Sequence, residues 1–129
     1  MNTSGMMNEG DILNLVDEFL LAWARADTEK LLNLMHDDCI YSASVGPEPG
    51  NTIKGKQEIR KHLLPIVESE LDGQQGVGQK WVIDDIVFVE WSYEKKLESG
   101  TLGVVRGVDI IRAVANKIIS IDAYRKASR

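Results

Sequence analysis

Apolar positions gather into β-branched runs in the C-terminal part of the chain. Thr101 to Tyr124 holds two runs rich in β-branched residues, Thr101–Val114 and Ile118–Tyr124, parted by Ala115-Asn116-Lys117. Two such runs around a short polar break predict a β-hairpin. Upstream, Ile86–Leu97 reads as one long strand and Lys80–Ile83 as another. Asp84-Asp85 forms the turn between them, and Glu98-Ser99-Gly100 leads into the hairpin. The N-terminal half has a different period. Ile12, Val16, Phe19, Leu20 and Trp23 fall on one face of a helix over Asp11–Arg25. Asp27 offers an N-cap to a short second helix ending near Met35, since its carboxylate can accept from free backbone N–H groups. His36-Asp37-Asp38 breaks that pattern, and Cys39–Ala43 reads as a strand. Gly46–Asn51 is a loop by its glycines and prolines. A third helix starts near Lys56 with Ile59, Leu63, Ile66 and Val67 on one face; Pro65 should end or kink it. Leu71–Gly78 reads as a flexible connection. Helices first and antiparallel strands after make the fold class α+β.

The strands carry more apolar surface than three short helices can cover. Val87, Val89, Trp91 and Tyr93 share one face, with Ile86 and Phe88 on the other. In the next strand Asp109 lies on the face of Val105, Gly107, Ile111 and Ala113, opposite Val104, Val108 and Ile110. A sheet wet on one side alternates more cleanly than this. The outer face is therefore expected to be covered by a second copy of the chain, as a homodimer.

Composition narrows the function classes. The 129 residues suit a single domain, expected over residues 10–129 after a flexible tail of residues 1–9. A formal charge of −5 gives no reason to expect nucleic acid or an anionic membrane as partner. No apolar run approaches the ~20 residues of a membrane helix. The N-terminus lacks a secretion pattern, so a cytoplasmic setting is the default expectation. The single cysteine, Cys39, sits in an apolar run and reads as a buried small hydrophobe. His36 and His62 lack a third ligand at metal-binding spacing, and no nucleotide or phosphate motif occurs, so neither a metal nor a cofactor is expected.

Several local strings, in order, resemble a known family. They are Asp27-Thr28-Glu29-Lys30-Leu31, His36-Asp37-Asp38-Cys39-Ile40-Tyr41 and Ile53-Lys54-Gly55-Lys56-Gln57-Glu58-Ile59, then Val89-Glu90-Trp91, Arg106-Gly107-Val108-Asp109 and Asn116-Lys117-Ile118. The chain resembles the SnoaL-like, nuclear transport factor-like superfamily. The resemblance implies a cone-shaped barrel, with three N-terminal helices packed in a strongly curved, mainly antiparallel sheet over a deep apolar pocket. Relatives include ketosteroid isomerase, limonene epoxide hydrolase, polyketide cyclases and noncatalytic proteins, so fold alone does not assign function.

Carried over residue by residue, the known catalytic sets are incomplete. The isomerase's donor tyrosine falls on Phe19 and its base on Ala43; only its donor aspartate is matched, by Asp109. For the epoxide hydrolase, Tyr41 matches a water-holding tyrosine. The remaining roles fall on Ala43, Trp91, Tyr93 and Ala123, which lack the charges that chemistry needs. A cyclase base could be supplied by Asp109 or Asp122, although Asp122 has the parity of an outward residue.

Asp109 is the leading catalytic candidate, because a carboxyl among apolar neighbours tends to stay neutral and can then donate a hydrogen bond. Its bland counterpart is a buried aspartate satisfied by a backbone N–H or by Arg106. Phe19, Trp23, Tyr41, Ala43, Trp91, Tyr93 and Ala123 are the candidate ligand-binding residues, against plain core packing, the stronger reading for Trp23. The function expected is binding of a small apolar, steroid- or polyketide-like molecule in an enclosed pocket. Isomerase, cyclase or hydrolase chemistry at Asp109 would go with it. A noncatalytic homodimeric interaction module is the alternative.

Overall fold

The structure, a computed structural model, describes residues 7–126. Helix α1 spans Glu9–Ala24, α2 Thr28–Leu34, α3 Lys56–His62 and α4 Leu64–Ser69, followed by a 3-10 turn at Glu70–Asp72. The strands are β1 Met35–Ser42, β2 Thr52–Lys54, β3 Gln74–Ile83, β4 Ile86–Lys96, β5 Leu102–Val114 and β6 Lys117–Arg125. They form one sheet in the order β2-β1-β6-β5-β4-β3. Only β1 and β6 run parallel. The sheet is open, with β2 and β3 as edges, so the expected barrel is a curled sheet that does not close.

Local chemistry accounts for most boundaries. Asn8 Oδ1 accepts from Asp11 N–H at 2.8 Å and starts α1 at Glu9, two residues earlier than periodicity predicts. Residues 1–6 of the expected tail lie outside the described residues. Asp27 Oδ1 accepts from Lys30 N–H at 3.2 Å, the cap foreseen for α2. Pro65 does divide the third helix: α3 ends at His62, and Leu63 joins it to α4, where the proline occupies the first turn. The break rotates the buried face onto Leu63, Leu64 and Val67 and leaves Ile66 half exposed, contrary to the single-face reading.

Three expectations need correction. His36-Asp37-Asp38 is strand, because β1 begins at Met35 and carries a register shift between Met35 and Ile40. Thr52–Lys54, unmarked in the sequence, pairs with Ser42–Ile40 through an antiparallel ladder. Leu71–Gly78 is not a loose connection. β3 starts at Gln74, and Gln74–Val77 pairs with Glu94–Trp91 before a bulge that precedes Lys80. Its glycines lie against β4 side chains, which hides the strand signal in the sequence. The β5–β6 turn is as expected: Ala115 and Asn116 take φ of 50° and 64°, the left-handed pair that suits a two-residue hairpin.

The core lies between the helices and the inner sheet face. Ile12, Leu15, Val16 and Phe19 of α1 meet Leu31, Met35, Ile59, Val87, Val89, Ile111 and Ile118, all buried. Each fully buried side chain of this size contributes ~1.5–3 kcal/mol. Among the described residues no helix is long and apolar enough to cross a membrane.

Candidate functional site

The packed core gives way to a cavity partway along the long strands. On the inner face of β4, Val87 and Val89 are fully buried, whereas Trp91 and Tyr93 are only partly so. On β5 the change falls between Ile111, buried, and Asp109, partly buried. Asp109 pairs across the sheet with Val89 on one side and Ala123 on the other. It therefore stands where the core ends and the cavity begins. The cavity holds about 380 Å³, a size that suits a small organic ligand.

Of the residues singled out in the sequence, Phe19, Trp23, Tyr41, Trp91, Tyr93, Asp109 and Ala123 all line this cavity. Ala43 does not; its neighbour Ser44 does, since β1 ends at Ser42 and the chain turns away. Asp122 lies on the other parity of β6 and accepts from the Tyr124 hydroxyl at 3.2 Å. Arg106 likewise belongs to the outer face, so it is not the partner of Asp109; it lines a separate groove there.

Burial pushes the Asp109 carboxyl up to about 7, and the negative charges of Asp122 and Glu70 add to the rise. The Trp91 indole N–H acts the other way by favouring the carboxylate. It does so without a hydrogen bond of normal geometry, for Nε1 is buried and has no hydrogen-bond partner among the described residues. Near neutral pH Asp109 is thus a mixture of acid and carboxylate. Burial also raises the Tyr41 hydroxyl above its ordinary range, helped by the charges of Asp109 and Glu70, so it remains a protonated donor. The rings of Trp23 and Tyr41 lie 6.1 Å apart and tilted by 31°, and Phe19 stands behind Trp23 at 5.8 Å. They make one aromatic wall.

Among the lining residues that sequence reasoning missed, with Asp17, Gln75 and Lys80, the most consequential is Glu70. It lines the cavity from the 3-10 turn. Its Oε1 accepts from Trp23 Nε1 at 2.9 Å and from Gln75 Nε2 at 3.2 Å. Glu70 and Gln75 lay in stretches read as helix end and loop, and Trp23 is 47 residues from Glu70, so no local motif marks the three together. Asp72, next on the same turn, accepts from the Tyr93 hydroxyl at 3.1 Å and pairs with Lys95 at 2.8 Å. Trp23 both packs against the core and lines the cavity, with its indole N–H donated to Glu70. Among the described residues no group of three or more His, Cys, Asp or Glu side chains is arranged to hold a metal ion.

A curled mixed sheet folded over helices is the α+β architecture of nuclear transport factor-like, or cystatin-like, proteins. The SnoaL-like domain family matches residues 16–121, and the chain belongs to that family. A nuclear transport factor-like protein of unknown function from Mesorhizobium loti superposes with a TM-score of 0.76 at 21% identity, covering 92% of this chain and 93% of that one. A putative polyketide cyclase from Xanthomonas campestris pv. campestris gives 0.69 at 15% identity, with 92% of each chain covered. TerC, co-crystallised with polyporic acid, gives 0.74 at 17% identity, covering 90% of this chain and 92% of that one. These likenesses concern the fold. No functionally curated protein matches the sequence.

Proposed function

We propose that the chain binds a small, flat, mostly apolar carbonyl compound of polyketide-like character in this cavity, with Asp109 acting on the carbonyl oxygen as hydrogen-bond donor or acid. The observation that carries the reading is the placement of the Asp109 carboxyl, with no cation beside it among the described residues, where the apolar core opens into a ligand-sized space. A neutral carboxylic acid in such a place offers a hydrogen bond that bulk water does not compete for. The aromatic wall of Phe19, Trp23 and Tyr41 favours a flat ligand. The likeness to the putative polyketide cyclase from Xanthomonas supports the polyketide-like class, and TerC shows that this fold can hold an organic ligand, there polyporic acid. The Tyr41 hydroxyl supplies a second donor on the same side of the chemistry.

Calorimetric titration with flat bicyclic ketones, at pH values from 5 to 9, tests this. Wild-type affinity should fall as pH rises through about 7, because the donor proton leaves Asp109. Asp109→Asn should bind with no such pH dependence, since its amide donates throughout, and should abolish any turnover that needs an acid. Wild-type binding indifferent to pH would remove Asp109 from the reading.

A second reading is a homodimeric interaction module, joined through the outer sheet face. Trp81 and Ile83 on β3 and Val104 on β5 are each about half exposed (48%, 58% and 51%), and an apolar face of this kind favours a partner. Trp81 pairs across the ladder with Phe88, and Phe88 with Ile110, giving an apolar row over three strands. The two readings are compatible, since the cavity and this row lie on opposite faces of the sheet.

A further inference from the structure

We infer that the ligand of this cavity carries a hydrogen-bond donor, a hydroxyl or amine, at a second point away from its carbonyl, that Glu70 receives this donor, and that the site rejects anionic ligands. The inference rests on the small-molecule reading above and narrows its substrate class.

The argument starts from the charged groups that line the cavity: Asp17, Glu70, Lys80 and Asp109. Lys80 Nζ lies 3.0 Å from Asp17 Oδ1, so the one lining cation among the described residues is already paired. Among the described residues no unpaired cation is left on the lining to hold a ligand carboxylate or phosphate, which would instead face the charge of Glu70. Repulsion of this kind is an effective way to exclude a class of ligand.

Glu70 is more than a background charge. A carboxylate has two oxygens and about four acceptor positions. Trp23 Nε1 and Gln75 Nε2 both donate to Oε1, and Oε2 has no partner among the described residues. Tyr93, another donor on this wall, is committed to Asp72. The two bonds to Oε1 fix the side chain's rotamer before a ligand arrives, so little further ordering is needed to use Oε2. Glu70 reaches the cavity from the 3-10 turn and Asp109 from β5. One oxygen of Glu70 accepts from a ligand donor, while Asp109 and Tyr41 donate to the carbonyl.

Three probes separate the outcomes: 2-tetralone and its derivatives with a hydroxyl or a carboxylate on the aromatic ring. Titrations on the wild-type protein at pH 6.5 should rank hydroxyl above plain ketone by about tenfold, the usual worth of a hydrogen bond to a charged acceptor. The carboxylate should bind more weakly than the plain ketone by at least about tenfold. In Glu70→Gln the hydroxyl's advantage should vanish and the carboxylate's handicap shrink, because an amide NH₂ replaces one acceptor oxygen and the charge is gone. Equal binding of all three probes, or tightest binding of the carboxylate, would overturn the inference and leave the ketone-binding reading standing. Failure of every probe to bind would overturn both. The wild-type ranking decides the matter even if the variant folds poorly.

Discussion

Asp109 holds its proton at a free-energy cost that depends on pH in a definite direction. Its folded value of about 7 lies above the ordinary 3.8 because burial penalises the charged form. Between those two values the folded protein keeps a proton that the unfolded chain has released. Stability therefore falls as pH rises through that window and levels off above about 7. Asp109→Asn removes the ionisation. It should match the wild type near pH 4 and exceed it at pH 8 by on the order of 3 kcal/mol, as read from urea unfolding at the two pH values. A difference independent of pH would mean that the carboxyl is better solvated than its place in the fold implies. Cys39 shows the same physics without the function: burial pushes its thiol up to about 12, slightly opposed by Lys56, so it is an inert packing residue.

At the scale of elements, β5 shapes the cavity by what it omits. Gly107 pairs with Trp91 on one side and Arg125 on the other. A Cβ there would collide with the Tyr124 carbonyl oxygen and with the Trp91 indole. The missing side chain lets the indole lie over β5 and become the cavity's wall beside Asp109. Gly107→Ala should therefore cost about 1–3 kcal/mol, the usual range for overpacking a tight site. It should also shift the emission of Trp91, which the paired variant Trp91→Phe would identify. Gly73 has a similar part beside the 3-10 turn, where the Tyr93 ring occupies the space a side chain would need. That contact, with the Tyr93–Asp72 bond, pins the 3-10 turn that carries Glu70.

For the whole molecule, the outer face of the sheet is where the dimer proposal is tested. The helices occupy the inner face, and the row Trp81, Phe88 and Ile110 is left outside. A charge placed in the centre of an apolar interface must lose its hydration on association, a large penalty. Trp81→Asp should accordingly turn a dimer into a monomer in light scattering at micromolar concentration, with far-UV circular dichroism unchanged. A wild-type protein that is monomeric at those concentrations would argue against a copy of itself as the cover.

The sequence by itself determined the class and order of elements, because they rest on local physics. Period and capping set α1 and α2, proline divided the third helix, and β-branched runs with a left-handed turn at Ala115-Asn116 set the β5–β6 hairpin. It also ordered the family's short strings along the chain, and it marked Asp109 as an acid among apolar neighbours. Tertiary structure alone decided the rest. The start of β3 at Gln74 depends on a ladder to β4, which no property of a Gly- and Gln-rich stretch announces. The place of Asp109 at the edge of the core depends on how far the helices reach along the strands. Glu70 joined the cavity through hydrogen bonds to Trp23 and Gln75, the first of them 47 residues away in the chain. Propensities act over a few neighbours, whereas a cavity is made by side chains that meet only after the chain has folded back on itself.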